Sequence, residues 1–468
     1  MRQRWKRVAA TVAVVAMSGA ACSGDDDAVD SSSATTEASS EAGGATIRVP
    51  DDHATIQEAV SAAAPGDLVL IEPGVYEEAV DVETDNLTIR GLDRNEVILD
   101  GGFTLENGIR VLANGVAVEN MTARNYTTNG FFWTGVTGYR GSYLNAIRNG
   151  DYGVYAFDAV QGQFDHVYAA GSPDAGLYIG QCYPCDALVT DVISEHNGLG
   201  YSGTNAGGNL VIVNSTWRNN RAGIVPNSGS YELCYPQRSA TIVGNVVHDN
   251  NQADTPAIDV ALLAMGNGIL LAGGNRNVIE RNLVFDHERT GIGLVPFPEE
   301  EANDVVPDES TWDLSCAETR ITPTVDDPSA LALVLWDSAQ NRVTGNLVSG
   351  SGLGDIALGG IAADLATLAN CFADNTITST APADLEGLAP CEGSPTATDG
   401  GRVALDLGAL IATERPPSVD YESAPLPDRG PQENMPDAES APARPATSGV
   451  PMSVDLDAIA VPPRPTEP

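Results

Sequence analysis

The sequence has 468 residues, with 64 acidic and 24 basic side chains and a formal net charge of −40 at pH 7. A surface this negative repels the phosphates of nucleic acids, so a nucleic-acid partner is excluded. It also keeps the protein soluble, and it would suit a saline habitat. Beyond Lys6 the sequence contains no lysine.

The N-terminus has the pattern of an export signal. Four basic residues precede an apolar run at 8–17, and small residues then lead to Cys22. This arrangement is similar to a bacterial lipoprotein signal peptide, although Gly19 stands where those peptides usually carry a larger aliphatic residue. The apolar run is shorter than the roughly 20 residues that a membrane span requires. We therefore expect removal of residues 1–21 and lipidation of Cys22, which would hold the exported protein on the outer face of the cell membrane.

Two segments have little to bury. Residues 22–45 are acidic and rich in Ser, Thr, Ala and Gly, which predicts a disordered tether. Residues 401–468 are rich in Pro and Ala and are expected to be a largely disordered tail. Within the tail, the apolar alternation at 450–459 would suit a strand or anchor that docks back on the body.

Between these segments a glycine followed by two or three β-favouring residues keeps returning. These rung glycines are Gly108, Gly130, Gly153, Gly176, Gly200, Gly223, Gly268 and Gly291. Their spacings are 22, 23, 23, 24, 23, 45 and 23 residues, and the 45 is close to two periods. A period this short, in units rich in Gly, Asn and Val, indicates strands and turns that stack on their neighbours. One long solenoid is therefore a better prediction than two or three separate domains.

A second column supports the same register, because a polar residue, most often asparagine, recurs before short strand-like triplets. Its members are Asn120, Asn145, Asp191, Asn214, Asn245, Asn282, Asn346 and Asn375. Asparagine tolerates the left-handed conformation that a tight corner requires. Stacked amides can also donate and accept one hydrogen bond each along the stack. We expect these residues to form one column at a corner of the coils.

Together the two columns resemble the right-handed parallel β-helix of the pectate-lyase-like superfamily. The resemblance implies an all-β fold, a single-stranded right-handed parallel β-helix at 46–400 with about 23 residues per coil. Thr55-Ile56-Gln57-Glu58 has the form of a capping box, so we expect a short N-terminal helix that covers the open end of the stack. The stretch from Thr55 to Val82 is similar to the entry region of pectin methylesterases. The catalytic Asp and Gln motifs of those enzymes are missing, so esterase activity is not expected.

Six cysteines follow Cys22, and an even number in an exported protein predicts disulfides. Only nearby coils touch in a solenoid. We therefore favour the pairs Cys182 with Cys185, Cys234 with Cys316, and Cys371 with Cys391. The alternative for the first pair is a redox or metal site, but the motif does not open a helix and lacks a second cysteine pair. No metal site is predicted there.

Three insertions interrupt the repeat, at 228–238, 251–265 and 296–330. All three fall at turns, where loops on a rigid scaffold often form binding sites. The last insertion contains an acidic run at 298–304, which we expect to be a solvated loop. A calcium site is the alternative, and no other cofactor is predicted.

Side chains at constant offsets after the rung glycines would line one face of the solenoid. The candidates for contact with a sugar chain are Tyr178, Gln181, Tyr201, Thr204, Asn205 and Asn227. Amides and tyrosines hydrogen-bond and stack with sugars. The alternative is that these residues only turn the corner of the coil.

No motif assigns a catalytic residue. Counting five residues from the asparagine column places His196 and His287 in one file, with Asp249 and Asp286 alongside. That arrangement would suit an acid and base pair. A corner ladder of polar residues is the alternative explanation.

These patterns predict a lipid-anchored, monomeric, extracytoplasmic β-helix protein that binds a polysaccharide or cell-surface glycan along a groove. If it is an enzyme, we expect a polysaccharide lyase or a glycoside hydrolase. A non-catalytic structural or adhesive stalk is the alternative. An enzyme requires a cleft with at least two titratable groups of shifted pKa on adjacent coils, whereas a stalk requires a groove closed by the insertions.

Overall fold

A computed structural model describes residues 44–300, 316, 333–360, 364–395, 403–446 and 454–465. The strands, in chain order, are β1 (Thr46–Val49), β2 (Leu68–Ile71), β3 (Gly74–Tyr76), β4 (Val80–Val82), β5 (Thr88–Gly91), β6 (Val97–Asp100), β7 (Asn107–Val111), β8 (Val116–Arg124), β9 (Asn129–Thr134), β10 (Thr137–Ile147), β11 (Tyr152–Phe157), β12 (Val160–Asp165), β13 (Tyr168–Ala170), β14 (Ala175–Gly180), β15 (Ala187–Thr190), β16 (Ile193–Glu195), β17 (Leu199–Thr204), β18 (Gly207–Val213), β19 (Thr216–Arg218), β20 (Ala222–Asn227), β21 (Arg238–Val243), β22 (Val246–His248), β23 (Ile269–Ala272), β24 (Val278–Glu280), β25 (Leu283–His287), β26 (Thr290–Val295), β27 (Phe297–Glu300), β28 (Leu333–Trp336), β29 (Arg342–Thr344), β30 (Leu347–Ser351), β31 (Gly354–Gly360), β32 (Cys371–Ala373), β33 (Thr380–Ala381) and β34 (Leu405–Asp406). The helices are α1 (Ile56–Ala62), α2 (Asp259–Ala264), α3 (Leu365–Leu368), α4 (Leu385–Leu388) and α5 (Leu407–Ala412). None of these helices has the length and apolar character needed to cross a membrane.

The strands wind as a parallel solenoid with three faces, and each coil passes through faces A, B and C in turn. Face A contains β1, β2, β5, β12, β15, β18, β21, β24, β29, β32 and the first parts of β8 and β10. Face B contains β3, β6, β13, β16, β19, β22, β25, β30 and the last parts of β8 and β10. Face C contains β4, β7, β9, β11, β14, β17, β20, β23, β26, β31 and β33. The strands β27 and β28 form a separate antiparallel pair.

The register on face C confirms the predicted period. Ile109 pairs with Phe131, and successive coils continue in the same register up to Ile224, which pairs with Ile269. The 45-residue step is therefore one enlarged coil, and the estimate of two periods was wrong. The additional residues leave the stack as the loop between β20 and β21 and as the segment that contains α2.

Glycine recurs on face C because the neighbouring backbone lies too close for a side chain. A Cβ added at Gly223 would lie 2.4 Å from the carbonyl oxygen of Gly268, and one at Gly153 would lie 2.5 Å from that of Gly176. Only glycine permits such an approach of one coil to the next.

A single residue in the left-handed conformation turns the chain from face A to face B. Asn120, Asp191 and Asn214 occupy this corner, with φ angles of 56°, 54° and 49°. In later coils Gly244 and Gly345 turn the corner instead. The predicted column is therefore not a single column, because four of its members lie one position after the corner: Asn245, Asn282, Asn346 and Asn375. The remaining member, Asn145, lies two positions after the corner and pairs with Thr122 on face B.

These four asparagines form a ladder, as predicted for stacked amides. The amide of Asn245 donates to the Oδ1 atom of Asn282 at 3.0 Å, and the amide of Asn282 donates to Asn346 at the same distance. The amide of Asn346 donates in turn to the Oδ1 atom of Asn375 at 2.9 Å. A second ladder runs through Asn197, Asn220, Asn250 and His287. A third ladder runs through Gln237, Asn277, Asn341 and Asn370.

The cap and the disulfides also agree with the sequence. The hydroxyl of Thr55 accepts a hydrogen bond from the backbone N–H of Glu58. Thr55 is thus the N-cap of α1, which begins at Ile56. The buried face of α1 joins the apolar core that fills the coils. The three disulfides are Cys182–Cys185, Cys234–Cys316 and Cys371–Cys391, as favoured from the sequence.

The C-terminal segment at 403–446 packs on the solenoid, from β34 beside β31 on face C back to Arg90 on face A, in contrast to the largely disordered tail that its composition predicts. Arg90 and Arg221 on the solenoid donate to backbone carbonyls of this segment at 2.6–2.9 Å. From the segment itself, Arg429 makes two hydrogen bonds of 2.6 Å to the buried carboxylate of Glu195. A proline-rich chain leaves its carbonyls free for guanidinium donors, so a segment without regular structure can still be held.

Residues 454–465 dock as well. Ile459 and Leu456 pack with Val213 and Val243 on face A, and Arg281 donates to the carbonyl of Leu456 at 2.7 Å. The predicted signal peptide, Cys22 and residues 22–43 of the predicted tether lie outside the described residues and stay predictions.

Candidate functional site

Face C carries three aromatic side chains in one outward column on neighbouring coils, Phe132, Tyr155 and Tyr178. They point outward because they alternate with residues of the apolar core. The rings of Phe132 and Tyr155 stack with centroids 4.6 Å apart and planes 7° apart. Tyr155 and Tyr178 meet edge to face at 5.0 Å. The column therefore places one ring on each of three successive coils.

Two carboxyl groups border this column. The ring centroids of Tyr152 and Tyr155 lie 4.4 Å apart. The hydroxyl of Tyr152 donates to the Oδ2 atom of Asp174 at 2.7 Å. The hydroxyl of Tyr178 donates to the Oε1 atom of Glu232, also at 2.7 Å. Glu232 comes from the loop between β20 and β21, which returns over the coils that precede it. We call the set the aromatic–carboxyl groove, and it comprises Phe132, Tyr152, Tyr155, Asp174, Tyr178 and Glu232.

The surroundings make both carboxyl groups weak acids. Burial raises the pKa of Asp174 to about 7, and the charge of Asp151 adds to this effect. Burial raises the pKa of Glu232 to about 8, with a further contribution from the charge of Asp174. The hydrogen bond from the partner tyrosine lowers each pKa, but by less than burial raises it. At pH 7 Glu232 is therefore mainly protonated, whereas Asp174 is close to half ionised. Both residues keep part of their surface exposed, although the Oε2 atom of Glu232 is buried and makes no hydrogen bond with the described residues.

Tyr155 lies between these two pairs. Its hydroxyl makes no hydrogen bond within the part of the chain that the structure describes. Burial, followed by the negative charges of Glu232, Asp174 and Asp151, raises its pKa. Tyr155 is thus a neutral phenol with an unused hydrogen bond beside two weak acids.

Two of the predicted sugar-binding residues hold the loop that carries Glu232. The Oε1 atom of Gln181 accepts a hydrogen bond from the backbone of Leu233 at 3.0 Å. Asn205 donates to the carbonyls of Gly229 and Glu232 at 2.6 and 2.8 Å. Gln181 and Asn205 are 0% and 1% exposed, which places both under the loop and away from any ligand.

The other predicted binding residues have different positions. Tyr201 points into the apolar core, because it has the inward register on its strand. Thr204 donates to Asn227 at 3.2 Å, and Asn227 donates to the exposed Tyr231 at 2.7 Å, so both lie beneath Tyr231. Of the predicted set, Tyr178 is the member that borders the groove, where it is 2% exposed and holds Glu232.

His196 and His287 do not lie in one column, in contrast to the prediction. Parallel pairing aligns His196 with Asp249 and Asp286 on one corner, three coil steps apart from first to last. His287 lies one position later, in the buried ladder, where the amide of Asn250 donates to its Nε2 atom at 3.2 Å. Burial lowers the pKa of His287 to about 3, so it stays neutral. The structure does not bring His196 and His287 together as an acid and base pair.

Among the described residues there is no cluster of three or more His, Cys, Asp or Glu side chains that could hold a metal ion. In the acidic run, Glu299 is buried and accepts hydrogen bonds from Ser230 and from the indole of Trp336, so this member is not solvated as predicted. Glu301 and Asp304 lie outside the described residues. Calcium binding there stays a prediction.

The sequence contains a signal for the aromatic column. The second residue after the rung glycine is aromatic in three consecutive coils, at Phe132, Tyr155 and Tyr178. Strand alternation places that residue on the outside if the residue before it is in the core. No comparable pattern identifies Glu232, because an insertion has no repeat to align with.

Residues 129–296 match the family model described as the right handed beta helix region. No curated protein matches the chain. Similar solved structures include the A-module of mannuronan C-5 epimerase AlgE4 from Azotobacter vinelandii, with 14% identity over 72% of this chain and 93% of that chain and a TM-score of 0.44. Others are an alginate lyase from Paenibacillus sp. strain FPU-7 (13%, 67% and 97%, TM-score 0.40) and a rhamnogalacturonan lyase (12%, 67% and 84%, TM-score 0.45). These values assign no activity to the chain. Its coiled parallel faces and the matched region identify it as a right-handed parallel β-helix protein.

Proposed function

We propose that the aromatic–carboxyl groove binds a polysaccharide. The observation that carries the proposal is the pair of stacked outward rings of Phe132 and Tyr155 on adjacent coils, bordered by hydroxyl and carboxyl groups. Tyr178, the next member of the column, is only 2% exposed and serves to hold Glu232. Aromatic side chains supply apolar contact to sugar rings, and the bordering groups supply hydrogen bonds to hydroxyls. A chain molecule laid along the solenoid meets equivalent groups once per coil, at intervals of about 4.8 Å.

The weak acidity of the groove makes this role compatible with the charge of the protein. The chain carries a formal net charge of −40, which repels acidic polymers. A Glu232 that is mainly protonated at pH 7 adds little to that repulsion and can donate a hydrogen bond. The groove therefore suits neutral and acidic polysaccharides alike.

Cleavage of the bound chain is the second candidate, and the two raised pKa values favour it over the stalk alternative. A carboxylic acid that is protonated at pH 7 can give a proton to the leaving glycosidic oxygen, and the ionised form of a neighbour can take a proton from the water that attacks the sugar carbon. Glu232 fits the first role and Asp174 fits the second. In this scheme Tyr155 hydrogen-bonds to the substrate and positions it between the two groups.

An oxidising compartment outside the cytoplasm supports the same role, since three disulfides persist only there. Attachment to the membrane through a lipid on Cys22, and a monomeric state, belong to the proposal. Mass spectrometry of the membrane fraction, with Cys22→Ser as the comparison, tests the anchor.

The direct test uses the protein without residues 1–21 and with Cys22→Ser. Retention in gels that contain neutral or acidic polysaccharides is measured with and without calcium, together with the release of reducing or unsaturated ends. Tyr155→Phe should weaken retention about fivefold, the value of one hydrogen bond. Glu232→Gln should abolish any release of ends while the protein is still retained.

Two control variants make the same kinds of substitution at residues outside the groove. Tyr76→Phe deletes a hydroxyl bound to the carbonyl of Glu72, far from the groove, and Glu288→Gln neutralises an exposed acid. Both should behave like the parent protein. Absence of retention on every polysaccharide would exclude the proposed function and leave the stalk as the better reading.

A further inference from the structure

A cavity of about 770 Å³ lies between face A and the C-terminal segment, well away from the aromatic–carboxyl groove. Its floor comes from β8, β10 and β12, and its other wall comes from the segment at 435–446. This volume is in the range of small-molecule sites, about 300–1,000 Å³. We call it the tail cavity, and the groove residues take no part in it.

The acidic groups on its floor already have hydrogen-bond partners of their own. Glu119 accepts hydrogen bonds from Arg90, at 2.7 Å, and from Arg140. Asp165 accepts from Ser142 at 2.5 Å and is also bonded to Gln163 and to the imidazole of His166. Two guanidinium groups therefore offset the charge of Glu119, and the charge of Asp165 is held beside an imidazole whose pKa it raises.

Among the basic groups at the cavity, in contrast, one guanidinium has no acidic partner among the described residues. Arg140 and Arg444 both line the cavity, and Arg90 lies directly behind Glu119. Burial, followed by the positive charge of Arg444, lowers the pKa of Arg140 to about 10; the charge of Asp165 opposes this effect and that of Arg90 adds to it. Arg444 is exposed to the cavity and has no ion pair with any described residue. Arg140 also has a buried Nε atom without a hydrogen bond.

Neutral groups complete the lining. The rings of Tyr143 and His166 stack with centroids 4.2 Å apart, and both residues lie at the left-handed corner, with φ of 53°. For a tyrosine this backbone conformation is unusual, and it directs the ring outward over the cavity. The hydroxyl of Tyr143 makes no hydrogen bond within the described part of the chain, and Gln161 and Ser440 add further polar groups. The exposed Asp437 is the acid on the segment side of the cavity.

We propose that the tail cavity binds a small sugar acid, with its carboxylate between Arg140 and Arg444 and its ring against Tyr143. A carboxylate matches the planar guanidinium groups and relieves their mutual repulsion. The hydroxyls match the neutral polar lining, and the apolar face of the sugar matches the aromatic ring. A bare inorganic anion would leave the ring and most of the polar lining unused.

Calorimetric titration of the chain without residues 1–21, with Cys22→Ser, tests this proposal. The probes are D-glucuronate, D-galacturonate and D-mannuronate, with D-glucose and inorganic phosphate as comparisons. We expect one molecule of at least one of the uronates to bind per chain, and glucose to bind at least about tenfold more weakly, because it lacks the group that makes charge-assisted hydrogen bonds.

Arg444→Ala should weaken uronate binding about tenfold, the loss expected for one charge-assisted hydrogen bond. Arg464→Ala is the matched control, because it removes the same charge from an exposed arginine of the C-terminal residues outside the cavity. Tyr143→Phe gives a second variant that does not depend on the segment. Hydrogen exchange of residues 403–446 in each variant verifies that the segment stays docked.

Absence of binding of all three uronates to the parent protein would overturn the proposal. Unchanged affinity in both Arg444→Ala and Tyr143→Phe would also overturn it, as would phosphate binding as tightly as the uronates. Polysaccharide retention at the groove should be unaffected by Arg444→Ala. The proposal for the groove and the proposal for the tail cavity can therefore be confirmed or refuted independently.

Discussion

Asn282 and Asn214 occupy similar places in the sequence pattern, but the structure gives them different roles, and replacing each with alanine should separate them. Asn282 is buried in the ladder and makes four side-chain hydrogen bonds, of 2.9–3.0 Å: two accepted from Asn245, one donated to the carbonyl of Ile242 and one donated to Asn346. Asn214 is exposed at the corner, where it contributes to stability by adopting the left-handed backbone conformation.

The magnitudes follow from these contacts. A neutral hydrogen bond contributes about 1 kcal/mol, and a buried group left without a partner costs about 1–3 kcal/mol. Asn282→Ala removes four bonds and leaves the buried N–H of Asn245 without its acceptor, so we expect a loss of about 5–7 kcal/mol. Asn214→Ala keeps the buried contacts and should cost about 1 kcal/mol, the penalty of alanine in a left-handed corner.

The measurement is the guanidinium midpoint of unfolding for the two variants and the parent protein, at the same protein concentration. The ladder variant should unfold at a clearly lower concentration than the corner variant. Equal losses, or a larger loss for Asn214→Ala, would refute the assignment of the two asparagines to different columns.

Three further predictions concern other parts of the molecule. Folding raises the pKa of Asp174 to about 7 and that of Glu232 to about 8, so the folded state keeps protons that the unfolded chain releases. Below about pH 6.5 the lowered pKa of His287 opposes this effect, so thermal stability should fall as pH rises from about 6.5 to 8. Glu232→Gln should flatten this trend, and a stability that rises over that window would contradict it. Gly223→Ala should lower the melting temperature by several degrees, whereas Gly430→Ala, with open space around it, should not; equal melting temperatures would count against the close coil contact. Arg429→Ala should speed hydrogen exchange at 403–446, because it leaves a buried carboxylate short of its partner, and unchanged exchange would show that this ion pair does not hold the segment.

The solenoid could be predicted because its determinants repeat. The glycine column reports a backbone contact that recurs in each coil, as at Gly223, and the neighbour rule for coils led to the three disulfide pairs. The left-handed corner and the buried ladder were merged because they are adjacent positions that both favour asparagine. A one-residue offset of this kind also placed His287 beside His196 in the prediction.

The groove was harder to predict because part of it does not repeat. Glu232 reaches Tyr178 only because its loop returns over earlier coils, and no periodicity encodes that return. Gln181 and Asn205 had the chemistry of sugar-binding residues, but buried backbone groups of the loop use that chemistry instead. The docking of 403–446 depends on arginines that are far away in the sequence, so composition alone indicated disorder.

The return of the C-terminal segment changes how the solenoid comes apart. In an array whose units touch only their neighbours, the coils at either end can fray one by one while the middle stays folded. Here one continuous segment leaves the last coils and reaches back to Arg90, near the first, so it couples distant coils to one another. Fraying at one end must then release contacts at the other, and the protein should melt as a single cooperative unit.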